Sequence, residues 1–377
     1  MSLIFRLASR NLFQDRLRFV ATVVGIVFSI VLVTIQLGLF LSFERMVTTM
    51  IDHAPGDLWI VSRGTKCFED PSLLNEHDRT TALSVPGVKE AVPIVIGFTT
   101  WTVPDGGTTP VFIIGSNPST AGLHPWNLVK GDLAALAAPH AVAIDQTYFG
   151  RLGVTRLGAS TDIREQPARV VAISNGIRSF TTTPYVFTSL AAAQSYIGTS
   201  PDKVSYLLVH VAANADVARV RQLLMARLPK VEVLTPAEFR TRSRTFWLFG
   251  TGAGAALFAG ALLGAIVGTV IIAQTLYSST KDHLNEFATL RAIGSSSRYI
   301  LKIILCQALL SAVIGFALAG SIGLVIVRAT AETALPIVMT PTLSLGLFLL
   351  TVLMCVASAA AAIAQVIRID PVRVFRQ

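Results

Sequence analysis

Four long apolar runs constrain the fold more than any other feature of the chain. They are Phe19–Phe43, Phe246–Tyr277, Ile303–Val327 and Leu343–Ile367. Each is longer than the ~20 residues that an α-helix needs to cross the hydrocarbon core of a bilayer. The composition agrees, because only 14% of the residues are charged, against about 25% in soluble domains. The sequence therefore predicts a membrane protein with four transmembrane α-helices.

A polar segment from about Glu44 to Arg244 separates the first two runs. It is long enough to fold around its own core, and short β-like runs bounded by Gly, Pro and Asp recur along it. Helical patterns at 189–198 and 217–228 lie among those runs. We therefore expect a large extracytoplasmic α+β domain between helices 1 and 2.

The distribution of Lys and Arg predicts the orientation. Outside the large polar segment there are 12 of the 31 basic residues, and all but Arg328 fall on the side of the two termini and the 278–299 loop. The positive-inside rule makes that side cytoplasmic. We expect a multi-pass protein of a bacterial inner membrane with both termini in the cytoplasm.

These boundaries predict nine segments. They are a cytoplasmic amphipathic helix (1–18), transmembrane helix 1 with a stalk extension (19–54), the extracytoplasmic, periplasmic α+β domain (55–234), the stalk and transmembrane helix 2 (235–277), a cytoplasmic helical loop (278–299), transmembrane helix 3 (300–328), a short outer loop (329–341), transmembrane helix 4 (342–367) and a cytoplasmic tail (368–377).

The first helix is expected to continue beyond the membrane, because its apolar seam does not stop at the charged pair Glu44-Arg45. A helix breaker comes only at Pro55-Gly56. The seam has the spacing of a coiled coil and consists of Leu39, Phe43, Met46 and Met50.

A second stalk helix is predicted to begin at Thr235. The sequence Thr235-Pro236-Ala237-Glu238 is a capping box with proline at the first helical position. We expect this helix to begin outside the membrane and to run on through Phe246, Trp247 and Phe249 into the second span. The two helices would then form a stalk that carries the α+β domain.

Small residues recur every four positions in the second span, at Gly260, Gly264 and Gly268. Such a stripe lets two helices approach closely. It suits packing within one chain and the seam of a dimer equally well.

Several kinds of chemistry are excluded by absent motifs. The dipeptide Gly-Lys of a phosphate-binding loop, the GxSxG elbow and the HExxH motif do not occur in the chain. No CxxC or Cys/His spacing indicates a metal site, and no basic helix interleaved with aromatic residues indicates nucleic-acid binding. We therefore expect no catalytic residue, no bound cofactor and no metal.

The stretch NEFATLRAIGSSSRYI at 285–300 interrupts this apolar half of the chain. It predicts a short cytoplasmic helix that ends at Gly294, where a left-handed residue can terminate it. The residues alone suit either a plain interfacial loop or a docking helix. One half of the helix combines bulky and charged side chains, namely Leu284, Glu286, Phe287, Leu290, Arg291 and Ile293.

This stretch resembles the signature E-[IF]-x-x-L-[RK]-A-[IL]-G-[AS] of FtsX/MacB-like permeases of the type VII ABC transporter superfamily. The N-terminal LASRNLFQDRLRFVATVVGI and the C-terminal IRIDPVRVFR also resemble that family. The segments IQLG and GDLWIVSR look most like its DevC-like branch. The resemblance covers the whole chain and the four-span topology.

The resemblance implies that residues 278–299 contain the coupling helix, which docks on a separate cytoplasmic ABC ATPase. It implies two ATPase copies that bind ATP and Mg²⁺, a permease homodimer, and in some systems a periplasmic adaptor and an outer-membrane duct. The ATPase-coupling residues would be Glu286, Phe287, Leu290, Arg291 and Gly294.

Three functions remain open at this point. The first is export of a lipid, glycolipid or hydrophobic drug. The second is mechanical activation of an envelope enzyme without transport. The third is haem or peptide efflux, in which Met46, Met50 and His53 near the membrane edge could touch haem iron. For export, the expected substrate entrance consists of Leu39, Phe43, Met46, Met50, Phe246, Trp247 and Phe249, which would equally suit the core of a dimeric stalk.

Overall fold

The computed structural model describes residues 3–282, 289 and 297–367. The chain divides into two compact units. The membrane unit comprises Met1–Leu41, Ala255–Ala331 and Pro336–Gln377, and the α+β unit comprises Ser42–Gly254 and Glu332–Leu335. The helices are α1 (Leu3–Gln14), α2 (Arg16–Asp52), α3 (Glu76–Leu83), α4 (Phe149–Leu152), α5 (Leu190–Ile197), α6 (Val217–Arg227), α7 (Pro236–Thr245), α8 (Ala253–Asp282), α9 (Ser297–Thr330) and α10 (Pro341–Ile367).

Four helices are long and apolar enough to cross a membrane, as expected: α2, α8, α9 and α10. Helix α2 packs with the three other spans in the membrane unit. Its Ile26 and Ile30 are buried in one apolar cluster with Ile272 of α8, Ile304 of α9 and Met354 of α10. Many other side chains of these helices are exposed leucine, isoleucine, valine and phenylalanine. Such outward apolar surfaces are expected where a helix faces lipid or another subunit.

The α+β unit is built on a mixed ten-stranded sheet, in the order β12-β1-β11-β3-β4-β9-β6-β8-β5, with β7 paired to β3 and β8. Strands β2 and β10 form a separate pair. The strands are β1 (Leu58–Ser62), β2 (Leu74–Asn75), β3 (Val88–Thr102), β4 (Thr108–Ser116), β5 (Leu128–Gly131), β6 (Ala141–Asp145), β7 (Ser160–Ile163), β8 (Gln166–Ser174), β9 (Tyr185–Thr188), β10 (Lys203–Val204), β11 (Tyr206–Val211) and β12 (Val231–Leu234).

Both faces of the sheet are covered, so its central strands are buried on both sides. In β1, Leu58 and Ile60 enter the cluster that contains Val220 of α6. Their neighbour Trp59 enters a second cluster, which contains Phe239 of α7. This alternation follows from the period of two in a β-strand. It explains why the strands read as continuous apolar runs in the sequence.

The second stalk helix is not continuous, which corrects the prediction that it runs on into the second span. Helix α7 ends at Thr245, a π-helical turn occupies Phe246–Gly250, and α8 starts at Ala253. Between them Gly252 has φ +78°, in the left-handed region that glycine adopts without steric cost. The apolar pattern continues through this joint, so hydropathy alone did not reveal it.

Candidate functional site at the stalk junction

The stalk consists of residues 42–52 of α2 together with α7. The capping box at the start of α7 is formed as predicted: the Glu238 amide donates to Thr235 Oγ1 over 3.2 Å, and the Thr235 amide donates to Glu238 Oε2 over 2.9 Å. Helix α2 continues to Asp52 and stops before Pro55. Both helix ends are therefore set by local sequence signals.

Two ion pairs join the stalk helices. Arg244 Nη1 lies 3.2 Å from Glu44 Oε1, and Arg240 Nη1 lies 3.1 Å from Asp52 Oδ1. All four side chains are partly exposed, so each pair contributes only about 0.2–1 kcal/mol. The two pairs orient α7 against α2, because both carboxylates are on α2 and both guanidinium groups are on α7.

An apolar group, here called the stalk cluster, lies between α2, the π turn after α7 and a loop of the α+β unit. Its centre is Phe180, from the loop between β8 and β9, which is 6% exposed. The Phe180 ring makes edge contacts with Phe43 of α2 at 5.1 Å and with Trp247 at 4.6 Å between centroids. The other members of the cluster are Met46, Val47 and Leu335. The cluster links α2 and the π turn to the loop that joins β8 and β9.

Trp247 also makes a polar contact with a buried acid. It lies in the π turn, whose wider ring is closed by the Thr251 amide donating to the Phe246 carbonyl over 3.0 Å. Its indole Nε1 donates to Glu69 Oε2 over 2.9 Å. Burial raises the pKa of the Glu69 carboxyl to about 7, although the hydrogen bond from Trp247 acts in the opposite direction. Glu69 is thus an acid that titrates near neutrality and contacts the joint directly.

The segment that carries Glu69 is itself fixed to both the stalk and the sheet. The Phe68 amide donates to Ser243 Oγ of α7 over 3.1 Å, and the Tyr206 hydroxyl of β11 donates to the Phe68 carbonyl over 2.9 Å. The Phe68 and Trp59 rings both contact Phe239 of α7. A rotation of α7 would therefore displace this segment and the adjacent strands. Burial raises the pKa of the neighbouring Cys67 thiol to about 12, so this cysteine is inert at neutral pH.

The seven expected entrance residues do not form one surface in the part of the chain that the structure describes. Phe43, Met46 and Trp247 meet in the stalk cluster. Met50 is buried in the core beneath the sheet, and Phe249 is 68% exposed. Leu39 is a half-buried residue of the membrane unit, and Phe246 lines a groove beside α7.

Sequence reasoning missed Phe180 and Glu69, the two residues that attach the junction to the sheet. Phe180 follows a Gly-containing loop and Glu69 precedes Asp70-Pro71, so both read as loop residues. An isolated aromatic residue in a polar loop was the only available signal for Phe180.

The predicted glycine stripe of the second span packs within the chain, against α2. A Cβ atom added to Gly260 would lie 2.8 Å from Gln36 Nε2, and one added to Gly268 would lie 2.2 Å from Ser29 Oγ. Ser29 Oγ in turn donates to the Gly264 carbonyl over 2.7 Å. Of the two open interpretations of the stripe, the structure therefore supports intrachain packing.

The ATPase-coupling residues Glu286, Phe287, Leu290, Arg291 and Gly294 lie outside the described residues. Their roles remain predictions.

The residues considered for haem are engaged in other contacts. Met46 and Met50 are buried. The His53 ring stacks on Trp126 with 3.7 Å between centroids, and its Nδ1 lies 2.8 Å from the Thr49 carbonyl. Within the described ranges, no group of three His, Cys, Asp or Glu side chains is placed to hold a metal ion.

Two family models match the chain. The MacB-like periplasmic core domain matches residues 19–227, and the FtsX-like permease C-terminal domain matches residues 241–371. A search of curated proteins gives no match.

Similar solved structures include three separate domains. The periplasmic region of MacB from Actinobacillus actinomycetemcomitans is 11% identical over 52% of this chain and 96% of that chain, with a TM-score of 0.39. The extracellular domain of the noncanonic ABC-type transporter YknZ from Gram-positive bacteria is 17% identical over 48% and 99%, with a TM-score of 0.35. A domain of a putative permease protein from Porphyromonas gingivalis is 15% identical over 48% and 87%, with a TM-score of 0.34.

Proposed function

The chain belongs to the FtsX/MacB-like family of ABC transporter permeases, and on this premise we propose that it is the permease of an exporter driven by a separate ATPase. ATP and Mg²⁺ bind in that partner, which docks on the coupling helix at 278–299. Two permease chains and two ATPase copies form the working complex. The positive-inside pattern supports placement in a bacterial inner membrane with both termini in the cytoplasm.

The observation that carries this proposal is the double attachment of the stalk to the sheet. Phe180 contacts Phe43 of one stalk helix and Trp247 of the π turn after the other. Trp247 is also bonded to Glu69, whose segment is held by α7 and β11. A movement of α8 caused by the ATPase would pass through the π turn and reach the sheet by these contacts.

We propose a lipophilic or amphiphilic substrate, such as a lipid, glycolipid or hydrophobic drug. The exposed Phe249 ring, next to the start of the second span, supports access for apolar molecules at this level. A periplasmic adaptor and an outer-membrane duct complete the export route in this proposal. The segments IQLG and GDLWIVSR support a place near the DevC-like branch.

The test is ATPase activity of the complete permease–ATPase complex in nanodiscs. We expect an envelope lipid fraction to raise turnover in the wild-type complex. The test variant is a Phe180→Ala complex. It should retain basal turnover and lose the stimulation by lipid. If no lipid fraction changes the wild-type rate, the export function is contradicted.

The second candidate is mechanical activation of an envelope enzyme without transport. One observation favours it. Met46 and Met50 of the apolar seam of α2 are both buried against other parts of the chain. Such a stalk transmits force without offering a lining for a substrate. Co-purification distinguishes the two functions, because a bound wall hydrolase supports activation and a bound periplasmic adaptor supports export.

Efflux of haem or a peptide is the weakest candidate. The two methionines that would face haem iron are buried, and His53 is stacked on Trp126. Purified protein incubated with haem should show no Soret band shift. A shift that His53→Ala removes would restore this candidate.

A further inference from the structure

A groove of about 770 Å³ lies in the α+β unit between the loop after β1 and one side of α7. Thr65 and Lys66 line its loop side. Thr241, Arg242 and Phe246 line its helix side. The groove is shallow and largely open to solvent.

The charges around the groove leave one cation without an acidic partner. Arg242 Nη2 lies 2.7 Å from Glu232 Oε2, and the groove acid Glu238 lies 2.9 Å from Arg221 Nη1. Lys66 is exposed, and no ion pair among the described residues includes it. Because each groove-lining charge except Lys66 is paired, the groove has a local excess of one positive charge.

An aromatic ring lies beside this cation. The Lys66 Nζ lies 6.0 Å from the centroid of the Phe246 ring, which is the distance of a weak cation–π contact. Phe246 is the first residue of the π turn that leads into the second span. The groove therefore offers a cation and an aromatic surface side by side, on the chain segment that enters the membrane.

We propose that this groove binds an acidic phospholipid, with its phosphate at Lys66 and its acyl chains along Phe246. This inference rests on the proposed export function and names its substrate class. A free anion is disfavoured, because a single exposed ammonium in ~0.15 M salt is strongly screened. A zwitterionic lipid is a poorer ligand, because it would bring a second cation close to Lys66. A second copy of the stalk is also a poorer occupant, because it would leave Lys66 unpaired unless it supplied an acid.

The test measures binding of three probes to the purified full-length chain in a neutral detergent, by isothermal titration calorimetry. The probes are short-chain phosphatidylglycerol, phosphatidylcholine with the same chains, and glycerol 3-phosphate. We expect phosphatidylglycerol to bind at least about fivefold more tightly than phosphatidylcholine. Glycerol 3-phosphate should show no binding at the same concentrations.

Two variants and one control locate the site. Lys66→Gln should remove the preference for phosphatidylglycerol, and Phe246→Leu should weaken both lipids together. The exposed Lys230, on the turn before β12, supplies the control: Lys230→Gln should leave all affinities unchanged. Size-exclusion and circular dichroism profiles of each variant check that it is folded.

Three binding results would overturn the proposal. They are equal binding of the two lipids, an unchanged preference in Lys66→Gln, and binding of glycerol 3-phosphate as tight as that of the lipid. Efficient disulfide formation between two Thr241→Cys chains would also overturn it, because a second copy would then cover the groove. None of these measurements involves the ATPase, so a failure here is distinguishable from the absence of lipid-stimulated turnover.

Discussion

Glu69 and Trp247 are joined by a hydrogen bond of 2.9 Å that crosses from the loop after β1 to the π turn after α7. The acid is buried, and burial raises its pKa to about 7 from a usual value of 4.5. The contact therefore combines a joint in the backbone with a group that changes charge near neutral pH.

The first prediction concerns pH. Because the folded-state pKa of Glu69 lies above its unfolded value, the stability linked to its neutral form is complete below pH ~4.5 and is lost as pH rises to ~7. A rise of the Glu69 pKa from 4.5 to about 7 corresponds to about 3 kcal/mol. Glu69→Gln should therefore raise the unfolding temperature strongly at pH 8 and much less at pH 5, as measured by differential scanning fluorimetry.

The exposed turn residue Asp105 provides the control for that experiment. Asp105→Asn removes a carboxyl without burial, so its unfolding temperature should follow the wild type at both pH values. An equal stabilisation of Glu69→Gln at pH 5 and pH 8 would contradict the assignment of the titrating group.

A second prediction concerns Phe180. Phe180→Ala removes the aromatic ring from the centre of the stalk cluster, and we expect a loss of about 3 kcal/mol in the free energy of unfolding. Phe98 is 53% exposed on β3, so Phe98→Ala should cost much less. Chemical unfolding of the two variants, followed by tryptophan fluorescence, gives the comparison. Equal losses would mean that the ring is not a packing centre.

The third prediction uses the glycine stripe in the membrane unit. A Cβ atom at position 268 would lie 2.4 Å from Ser29 Cβ, which no side-chain rotation relieves, so Gly268→Ala should cost about 1–3 kcal/mol. Among the residues that the structure describes, none has a heavy atom within 4 Å of the corresponding atom at Gly320. Gly320→Ala should therefore retain wild-type resistance to unfolding in detergent, and a similar loss in both variants would contradict the packing.

A fourth prediction addresses the coupling helix. The double variant Glu286→Ala and Arg291→Ala should lower ATPase activity of the reconstituted complex, because it removes the charged side chains expected to meet the partner. Membrane insertion and the unfolding temperature should not change. An unaltered ATPase rate would remove the coupling role from this stretch.

Local chemistry explains which parts of the fold could be predicted from the sequence. Thr235 and Glu238 form a cap with each other, so the start of α7 was readable from four residues. The Gly260 stripe revealed a close-packing face but not its partner, because Gln36 and Ser29 reach it only in the folded chain. Glu69 and Phe180 are far apart in sequence, and each has ordinary loop neighbours. Their meeting at Trp247 depends on the sheet, which no local pattern encodes.

Helix α2 runs unbroken for 37 residues, about 55 Å at 1.5 Å per residue, whereas its partner is divided between α7 and α8 by Phe246–Gly250 and Gly252. Helix α2 is thus continuous, whereas the chain from α7 to α8 is interrupted between them. If a continuous helix and an interrupted helix slide past each other, the continuous helix cannot shorten. The displacement would then be taken up as bending at the interruption. Glu69 accepts a hydrogen bond from Trp247 at that interruption, so a buried acid is in direct contact with the segment that would bend.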